Sequence, residues 1–328
     1  MNKLLSYVIP CYNSTESLTK VVDEIIETVK TRNGYDYEII LVNDNAPDAT
    51  WELIENLSAE NPNIHGVCMA HNFGQHSALM AGFRKAKGDI VVALDDDGQT
   101  PPSESFKLID RLQGNVNVVY GDYPDLKFAS KFREFGSNVN DWMAEWLLNK
   151  PHGLYLSSFI AARRNVIDQV VQYGGPYPYV DGLMLRSGSE IVNEPVEHRE
   201  REFGQSGYSL KKLLELWVNG FTAFSVKPLR AGTLIGVLIA GLGFAFGAFI
   251  FIQKLIYRDA VNAGWSSIVC ILMMLGGLIL IMLGLIGEYV GRIYLSINST
   301  PQYIVLKETE SAAEQRKKTA IPNNNIPS

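Results

Sequence analysis

Three consecutive carboxylates, Asp95, Asp96 and Asp97, directly follow an apolar run over residues 90–94. The run lacks alternation and is typical of a buried parallel strand, which places the carboxylates at the strand's carboxyl end. Ligands bind at that edge in open α/β sheets. Because adjacent carboxylates repel one another, a divalent cation would stabilise them, and their hard oxygens suit Mg²⁺ or Mn²⁺ holding a substrate diphosphate. The alternative interpretation is a solvated acidic turn that caps a helix.

Two further polar loops, residues 10–16 and 43–50, also follow predicted strands. A nucleoside needs acceptors for its imide N–H and hydroxyl groups, and Glu16 and Asp44 can supply them. Each loop alone could merely cap the helix that follows it. At the ends of successive strands, the three loops together indicate a nucleotide-binding site.

Alternating strands and helices occupy the chain up to Asp122. The predicted strands cover residues 4–9, 37–42, 64–69, 90–94 and 116–120. The predicted helices cover residues 18–29, 51–57, 77–86 and 103–112. Repeated βα units predict a mostly parallel sheet covered by helices on both faces. No GxGxxG motif follows the first strand, which disfavours a dinucleotide-binding Rossmann domain.

The pattern after Asp122 is less regular. An aromatic-rich helix is predicted over residues 128–148, a strand over residues 154–162 and a helix over residues 163–173. Residues 209–230 are amphipathic and are predicted to lie in a membrane interface, with an ordinary surface helix as the alternative. The polar tail after Lys307 is predicted to be disordered.

Two uncharged stretches, residues 231–252 and 266–287, are each 22 residues long. A hydrocarbon core needs about 20 helical residues, so the pair predicts a transmembrane hairpin. Basic residues are denser beside the hairpin than in its connection, which favours cytoplasmic termini. The prediction is a multi-pass protein of the inner (cytoplasmic) membrane. Its domain of residues 1–208 and its C-terminal segment of residues 288–328 would lie in the cytoplasm.

The 328 residues allow one large or two smaller domains. A net charge of −6 argues against a nucleic-acid partner, because nucleic-acid phosphates would require a basic face. Cys11, Cys68 and Cys270 share no ligand spacing and are interpreted as buried thiols. The sequence leaves homo-oligomerisation open.

Four loops, VIPCYNSTE, VNDNAPDAT, HNFGQHSALMAGF and ALDDDGQTPPS, resemble the signature loops of the family 2 inverting glycosyltransferases, which have the GT-A fold. With EHREREFGQSGYSLKKLLEL, the two apolar stretches and GEYVGRIY, the resemblance extends over about residues 6–305. It is closest to the polyprenyl-phosphate branch, which includes dolichyl-phosphate mannose synthase and bacterial undecaprenyl-phosphate glucosyl and aminoarabinose transferases. The resemblance implies an α/β GT-A catalytic domain with a Rossmann-like, mostly parallel sheet.

The reaction that the resemblance implies is sugar transfer, with inversion, from a nucleotide diphosphate donor to polyprenyl (undecaprenyl) phosphate at the cytoplasmic membrane face. Bacterial relatives generally use UDP-linked donors. The implied nucleotide-sugar site consists of Pro10, Tyr12, Asn13, Glu16, Asp44, Asp95, Asp96 and Gln99. The implied acceptor-phosphate residues are Arg133, Ser137, Ser206 and Tyr208. Asp95 and Asp97 match the family's metal-binding Asp-x-Asp motif. Arg201 lies with Ser206 and Tyr208 in a loop that closes over the diphosphate in relatives.

Asp97 and Arg201 are expected to stabilise the leaving diphosphate. The implied nucleophile is a phosphate monoester whose second pKa is about 6, so it is largely dianionic at neutral pH. It therefore has little need of a general base. Asp181 is the fallback base, with helix capping as its alternative role. Asn43 stands where many relatives have Asp, Gly207 replaces a frequent Lys, and residues 154–158 lack an Asp that relatives carry.

Two other functions stay open. A polysaccharide-elongating synthase of the same fold usually carries a Gln-x-x-Arg-Trp motif and more membrane spans, and this sequence contains no such motif. A non-catalytic membrane scaffold, or a transporter of lipid-linked sugars, would give no reason for three adjacent carboxylates.

Overall fold

The computed structural model describes residues 2–124, 145, 150–199, 227–256, 265–298 and 300–309. The chain divides into two compact units, Met1–Ser209 with Ser299–Ser328, and Leu210–Asn298. Of the predicted interfacial segment of residues 209–230, only residues 227–230 are described, and they form the start of a long helix. All of the predicted helix at 128–148 except residue 145 also lies outside the described residues.

Eight strands form one sheet in the described part of the first unit. They are β1 Lys3–Cys11, β2 Tyr35–Asn43, β3 Ile64–Met69, β4 Ile90–Ala93, β5 Val116–Asp122, β6 Ile160–Arg163, β7 Glu190–Pro195 and β8 Val305–Glu308. Their spatial order is β7-β5-β6-β4-β1-β2-β3-β8. Strands β6 and β8 run antiparallel to their neighbours, and the other pairings are parallel. The predicted α/β fold with a mostly parallel sheet is confirmed.

Within the described residues, six α-helices accompany this sheet, and two long helices form the described part of the second unit. The first six are α1 Leu18–Lys30, α2 Thr50–Glu60, α3 Gln75–Lys85, α4 Ser105–Arg111, α5 Arg164–Val170 and α6 Val180–Arg186. The long helices are α7 Lys227–Ile256 and α8 Trp265–Ile297. In α1, the buried side chains recur at helical spacing: Leu18, Val21, Val22, Ile25 and Val29. This periodicity is the reason why the helix could be predicted from sequence.

The predicted strand over residues 154–162 is wrong in its first half, because β6 comprises only Ile160–Arg163. The backbone before β6 is hydrogen-bonded to a side chain of β7 instead of to the backbone of a neighbouring strand. Asn193 of β7 accepts a hydrogen bond from the Tyr155 N–H (2.8 Å) and donates one to the Tyr155 carbonyl (2.7 Å). These bonds satisfy the backbone at Tyr155 without a neighbouring strand.

The end of the sheet opposite the polar loops is closely packed around Gly88. A Cβ atom on Gly88 would lie 2.6 Å from Ser6 Oγ and 2.7 Å from the Leu4 carbonyl oxygen. The Gly88 N–H donates to Ser6 Oγ, and the Ser6 hydroxyl donates to buried Glu38. Gly88 therefore allows the start of β4 to approach β1.

The C-terminal strand β8 extends the sheet by pairing with β3, although the sequence did not predict it. The Gly66 N–H donates to Thr309 Oγ1 (2.8 Å), and Lys85 forms an ion pair with Glu308. The guanidinium of Arg84 lies 5.4 Å from the centre of the Tyr303 ring. Residues 302–309 are thus bound to the edge of the catalytic sheet. The predicted disorder after Lys307 is wrong for Glu308 and Thr309, because Glu308 belongs to β8 and the Thr309 N–H donates to the Gly66 carbonyl (3.0 Å). Residues 310–328 of the predicted tail lie outside the described residues.

Both uncharged stretches fall inside long helices, residues 231–252 within α7 and residues 266–287 within α8. The helices contact each other at Gly232, where an added Cβ would lie 2.6 Å from Met282 Sδ. Among the described residues, one stretch, Leu275–Ile297, is long and apolar enough to cross a membrane. The predicted pair of spans stays a prediction.

Two of the three cysteines, Cys11 and Cys68, are free and buried, as predicted.

Candidate active site

The carboxyl ends of β4, β1 and β2 lie side by side because these parallel strands are neighbours. Hydrogen bonds join the loops that follow them. The Asp44 N–H donates to the Cys11 carbonyl (3.0 Å), and the Tyr12 N–H donates to the Asp96 carboxylate (3.1 Å). The predicted convergence of three polar loops at one sheet edge is confirmed.

The Asp95 carboxylate is held from two sides. Gln75 Nε2, at the start of α3, donates to Oδ1 over 2.9 Å, and the Ser158 hydroxyl donates to Oδ2. Because one donor binds each carboxylate oxygen, these bonds fix the orientation of the Asp95 carboxylate. The sequence did not identify Gln75 or Ser158 as site residues. Gln75 lies within the quoted HNFGQHSALMAGF loop, whereas Ser158 reaches Asp95 because β6 pairs with β4.

The Asp96 carboxylate contacts the first loop instead. Its Oδ2 accepts hydrogen bonds from the Tyr12 N–H and from the Ser14 hydroxyl. Burial raises the pKa of Asp96, while the bond from Ser14 acts in the opposite direction. Adjacent residues of the triplet therefore have different neighbours.

Asp97 and Gln99 shape the turn that follows β4. The Asp97 carboxylate accepts the Gln99 N–H (3.1 Å), and Gly98 between them has a φ of +71°. The Gln99 carbonyl accepts the Arg199 N–H (2.7 Å), and Gln99 Nε2 donates to the Arg199 carbonyl (3.4 Å). Arg199 also donates to both carboxylate oxygens of Glu24, at 3.0 and 2.9 Å. The sequence did not identify Arg199 as a residue that contacts this turn.

Asp44 is 4% exposed and accepts two backbone hydrogen bonds, from the Phe73 N–H (2.7 Å) and the Gly74 N–H (2.8 Å). Burial raises the pKa of Asp44 to about 6, although both N–H donors favour the ionised form. Asp44 therefore ties the second polar loop to the beginning of α3, immediately before Gln75.

The first loop carries the exposed groups of the site. The Tyr12 side chain is 48% exposed, and Glu16 is also exposed. Asn13 adopts a left-handed backbone conformation with a φ of +58°, which Asn tolerates better than most residues. Pro10 pairs with Val42 at the end of β1 and β2. The loop thus presents an aromatic ring and a carboxylate beside the acidic triplet.

Asp181 lies in the first turn of α6 and accepts a hydrogen bond from the Tyr120 hydroxyl (3.0 Å). Burial raises the pKa of Asp181 and lowers that of His76, and these two groups interact electrostatically. The His76 ring packs edge-on to Tyr179, with 5.0 Å between ring centres. Asp181 and His76 thus form a polar cluster that is linked to Asp95 through the neighbouring residue Gln75.

Aromatic side chains pack around Tyr123, whose hydroxyl interacts electrostatically with Asp95. The Tyr123 ring packs edge-on to Tyr155 and His198, at 6.1 and 4.6 Å between ring centres. Its hydroxyl is hydrogen-bonded to Thr100 Oγ1 (2.9 Å), and burial raises the pKa of Tyr123 to about 12. The hydroxyl therefore stays protonated at neutral pH.

The predicted residues Arg133, Ser137, Arg201, Ser206 and Tyr208 lie outside the described residues. Within the part of the chain that the structure describes, no group of three or more His, Cys, Asp or Glu side chains is arranged to hold a metal ion. Mg²⁺ is nevertheless often bound by one or two carboxylates together with substrate phosphates and waters. Asp95 and Asp97 would supply the carboxylates of a site of that type.

Comparison with known proteins identifies the class to which this fold and site belong. The family model described as glycosyl transferase family 2 matches residues 6–170, and the model described as GtrB C-terminal hairpin matches residues 227–293. The chain therefore belongs to glycosyl transferase family 2, and its α/β domain is of the GT-A type that the resemblance implied.

Particular relatives match nearly the whole chain. The undecaprenyl-phosphate 4-deoxy-4-formamido-L-arabinose transferase of Klebsiella pneumoniae is 33% identical over 322 residues, covering 97% of this chain and 98% of that protein. The protein of the same name from Yersinia pestis is 34% identical over 308 residues, 93% of each chain. Among solved structures, glucosyl-3-phosphoglycerate synthase of Mycobacterium tuberculosis in complex with phosphoglyceric acid matches with a TM-score of 0.47 at 20% identity. That match covers 64% of this chain and 75% of the other.

Proposed function

We propose that this glycosyltransferase moves a sugar from a nucleotide diphosphate sugar to a polyprenyl phosphate, with undecaprenyl phosphate as the lipid. The observation that carries the proposal is the convergence of three polar loops at one sheet edge, beside Asp95 and Asp97. The names of the relatives that match almost the full chain support the acceptor.

The first two loops supply the groups for a nucleoside. The exposed ring of Tyr12 offers a flat surface for a base, and Glu16 offers a carboxylate for hydroxyl groups. Asp44 offers a carboxylate for the base's imide N–H. Pro10 and Asn13 shape the first loop. A UDP donor fits these groups because uracil has one imide N–H.

Asp95 and Asp97 would hold Mg²⁺ or Mn²⁺ together with the diphosphate oxygens of the donor. When bound, the cation supplies Lewis-acid stabilisation of the leaving diphosphate. Gln75 and Ser158 orient Asp95 for this role. Gln99 is hydrogen-bonded to the backbone of Arg199, two residues before Arg201. We assign Arg201 to binding of the leaving diphosphate. We assign Ser206 and Tyr208 to the loop that would close over it.

The nucleophile in this proposal is the dianionic acceptor phosphate, held by Arg133 and Ser137. An oxygen of the phosphate attacks the anomeric carbon in line, the bond to the diphosphate breaks with its electron pair, and the configuration inverts. No proton has to be removed from the nucleophile, so the reaction proceeds without a general base. Asp181, which already accepts the Tyr120 hydroxyl and has a raised pKa, is the second choice for a base.

The apolar helices α7 and α8 would anchor the enzyme beside its lipid substrate. Large apolar side chains on both helices are exposed, including Leu234 (67%) and Leu280 (70%), which is costly in water and favourable in lipid. We propose that both helices cross the inner membrane and that the catalytic domain and both termini face the cytoplasm.

A panel assay tests the proposal. The purified enzyme in detergent is incubated with UDP-linked glucose, N-acetylglucosamine or 4-deoxy-4-formamido-L-arabinose, with and without undecaprenyl phosphate, and the lipid product is measured by mass spectrometry. We expect one donor to give a glycosyl-phosphate lipid only when the lipid phosphate and Mg²⁺ or Mn²⁺ are present. Elongation of a glycan without lipid phosphate would instead identify a polysaccharide synthase, and no product from any donor would contradict the proposal.

A further inference from the structure

We propose that Asp96 is a positioning residue that holds residues 12–14 in the conformation that receives the nucleoside, and that it is not a ligand of the cation. The proposal rests on the proposed function, because it takes this loop as part of the nucleotide site. The resemblance placed Asp96 among the nucleotide-sugar residues without a specific role, and the hydrogen bonds of Asp96 supply that role.

The contacts of Asp96 bracket one residue of the loop. Its Oδ2 accepts the Tyr12 N–H (3.1 Å) and the Ser14 hydroxyl, so one oxygen binds the residues on both sides of Asn13. Asn13 has a φ of +58°, a conformation that an isolated peptide rarely populates. The two bonds to Asp96 stabilise that conformation and thereby set the direction in which the Tyr12 side chain leaves the backbone.

The second polar loop holds the same segment from its other side. The Ser14 N–H donates to Thr50 Oγ1 (2.9 Å), and the Thr50 hydroxyl donates to Asp48 Oδ1 (2.6 Å). Ser14 is therefore fixed between the loop after β2 and the loop after β4, while the Tyr12 side chain remains 48% exposed. Because the loop is already ordered, a flat ligand that binds to the Tyr12 ring does not incur the entropy cost of ordering the loop.

The neighbouring carboxylates have other contacts. Asp95 is oriented by Gln75 and Ser158, and Asp97 accepts the Gln99 N–H. Two donors already bind one oxygen of Asp96, and both belong to the first loop. A cation bound at Oδ2 of Asp96 would compete with the bonds that shape this loop, whereas a cation bound by Asp95 and Asp97 would leave them intact.

The test compares Asp96→Ala, Asp96→Asn and Ser14→Ala with Asp97→Asn and with the matched control Asp23→Asn, an exposed carboxylate of α1. Three quantities are measured on the full-length protein in detergent. They are the Mn²⁺ affinity by electron paramagnetic resonance, the Kd for UDP at saturating Mn²⁺, and hydrogen exchange of the backbone amides at residues 12–14.

We expect Asp96→Ala to raise the Kd for UDP about tenfold, since it removes two hydrogen bonds to a charged group, and to speed exchange at residues 12–14. Mn²⁺ affinity should stay as in the wild type. Asp96→Asn keeps one acceptor oxygen and should lie between Asp96→Ala and the wild type. Ser14→Ala should weaken UDP binding less than Asp96→Ala, and the two changes should not add, because they remove the same contact. Asp97→Asn should lose Mn²⁺ binding.

A loss of Mn²⁺ affinity in Asp96→Asn equal to that in Asp97→Asn would make Asp96 a cation ligand and overturn the proposal. Unchanged UDP affinity and unchanged exchange in Asp96→Ala would also overturn it. If Asp96→Ala does not fold, Asp96→Asn and Ser14→Ala provide the same comparison. A wild-type protein that binds neither UDP nor Mn²⁺ would contradict the proposed function, and the exchange rates would still decide whether Asp96 holds the loop.

Discussion

The three carboxylates of the triplet are chemically alike but have different partners. Asp95 accepts hydrogen bonds from side chains of α3 and of the segment before β6. Asp96 accepts hydrogen bonds from the first loop, and Asp97 accepts one from the turn that follows β4. Each carboxylate is therefore stabilised by its own hydrogen-bond donors, which reduces the cost of placing three charges together. Their substitutions should have separable effects.

Asp97→Asn is expected to lower sugar transfer by at least a hundredfold while leaving the protein folded. The amide removes one charged ligand of the proposed cation and with it much of the stabilisation of the leaving diphosphate. Transfer is measured with undecaprenyl phosphate and the preferred donor, and the melting temperature serves as the folding control. Chelator should inhibit the wild type in the same way, and full turnover in chelator would refute the cation site.

Asp44 should make donor binding dependent on pH. Its pKa is raised from 3.8 to about 6, so the carboxylate is ionised above pH 6 and protonated below. The ionised form accepts hydrogen bonds with both oxygens, and we expect the KM for the nucleotide sugar to rise by roughly tenfold per pH unit below 6. In Asp44→Asn this dependence should disappear. A wild-type KM that is constant from pH 5 to 8 would exclude Asp44 from the donor site.

The raised pKa of Asp44 also makes the stability of the folded protein fall as the pH increases. Because the folded pKa lies above the unfolded one, the contribution of Asp44 to stability is fully present below about pH 3.8 and is lost as the pH rises through about 6. Donor binding therefore favours the ionised form of Asp44, whereas folding favours the protonated form.

Arg133→Ala is expected to raise the KM for undecaprenyl phosphate about ten- to hundredfold, which corresponds to the loss of a charged hydrogen bond of about 1.5–3 kcal/mol. The KM for the donor should change little. Arg111→Ala is the matched control, because Arg111 is exposed and its ion pair with Glu194 spans 3.9 Å. An equal loss in the affinity for the donor would remove Arg133 from the acceptor site.

At the level of secondary structure, the position of β4 depends on its close backbone contact with β1 at the end of the sheet opposite the site. Strand β4 delivers the triplet, and its register against β1 pairs Leu5 with Ile90 and Val8 with Ala93. Gly88 precedes this pairing and lies against the backbone of β1. The position of the triplet therefore depends on a glycine at the far end of its strand.

Gly88→Ala is expected to destabilise the catalytic domain by about 1–3 kcal/mol, because the added methyl group meets backbone atoms that have no room to move. The measurement is the midpoint of thermal unfolding in detergent. Gly174→Ala is the matched control, since a Cβ there meets no atom within 4 Å. A melting temperature in Gly88→Ala equal to that of the control would contradict the close packing of β4 on β1.

For the chain as a whole, the catalytic sheet contains a strand from beyond the long apolar helices. Strand β8 follows α8 in the sequence and completes the edge beside β3. β8 thereby becomes the outer strand of the sheet, and an edge strand of four residues that ends in Lys307 and Glu308 disfavours pairing with other molecules. The C-terminal residues 302–309 therefore belong to the catalytic domain, although the helices separate them from it in sequence.

This arrangement supports a specific topology. If α7 and α8 both cross the membrane, residues on either side of the pair lie on the same side, as β8 and the rest of the sheet must. Reporter fusions at Ser328 should be active only in the cytoplasm, and fusions within residues 257–264 only outside. An externally active reporter at Ser328 would refute the two-span topology.

The sequence was sufficient for features that depend on local periodicity. The helical spacing of Leu18, Val22 and Ile25 defined α1, and the apolar run before Asp95 defined β4 and the position of the triplet at a strand end. The parallel order of the βα units then placed three loops at one edge. These features follow from short-range patterning, which residue types alone express.

Only the tertiary structure decided which residues meet. Ser158 reaches Asp95, Asp96 holds the loop at Tyr12, and β8 joins β3 across the intervening helices. Such contacts depend on strand order and register, and neither is encoded in the spacing of residues within one element. The predicted strand over residues 154–162 was wrong before Ile160 for the same reason. Asn193, distant in sequence, satisfies the backbone at Tyr155 in place of a strand partner.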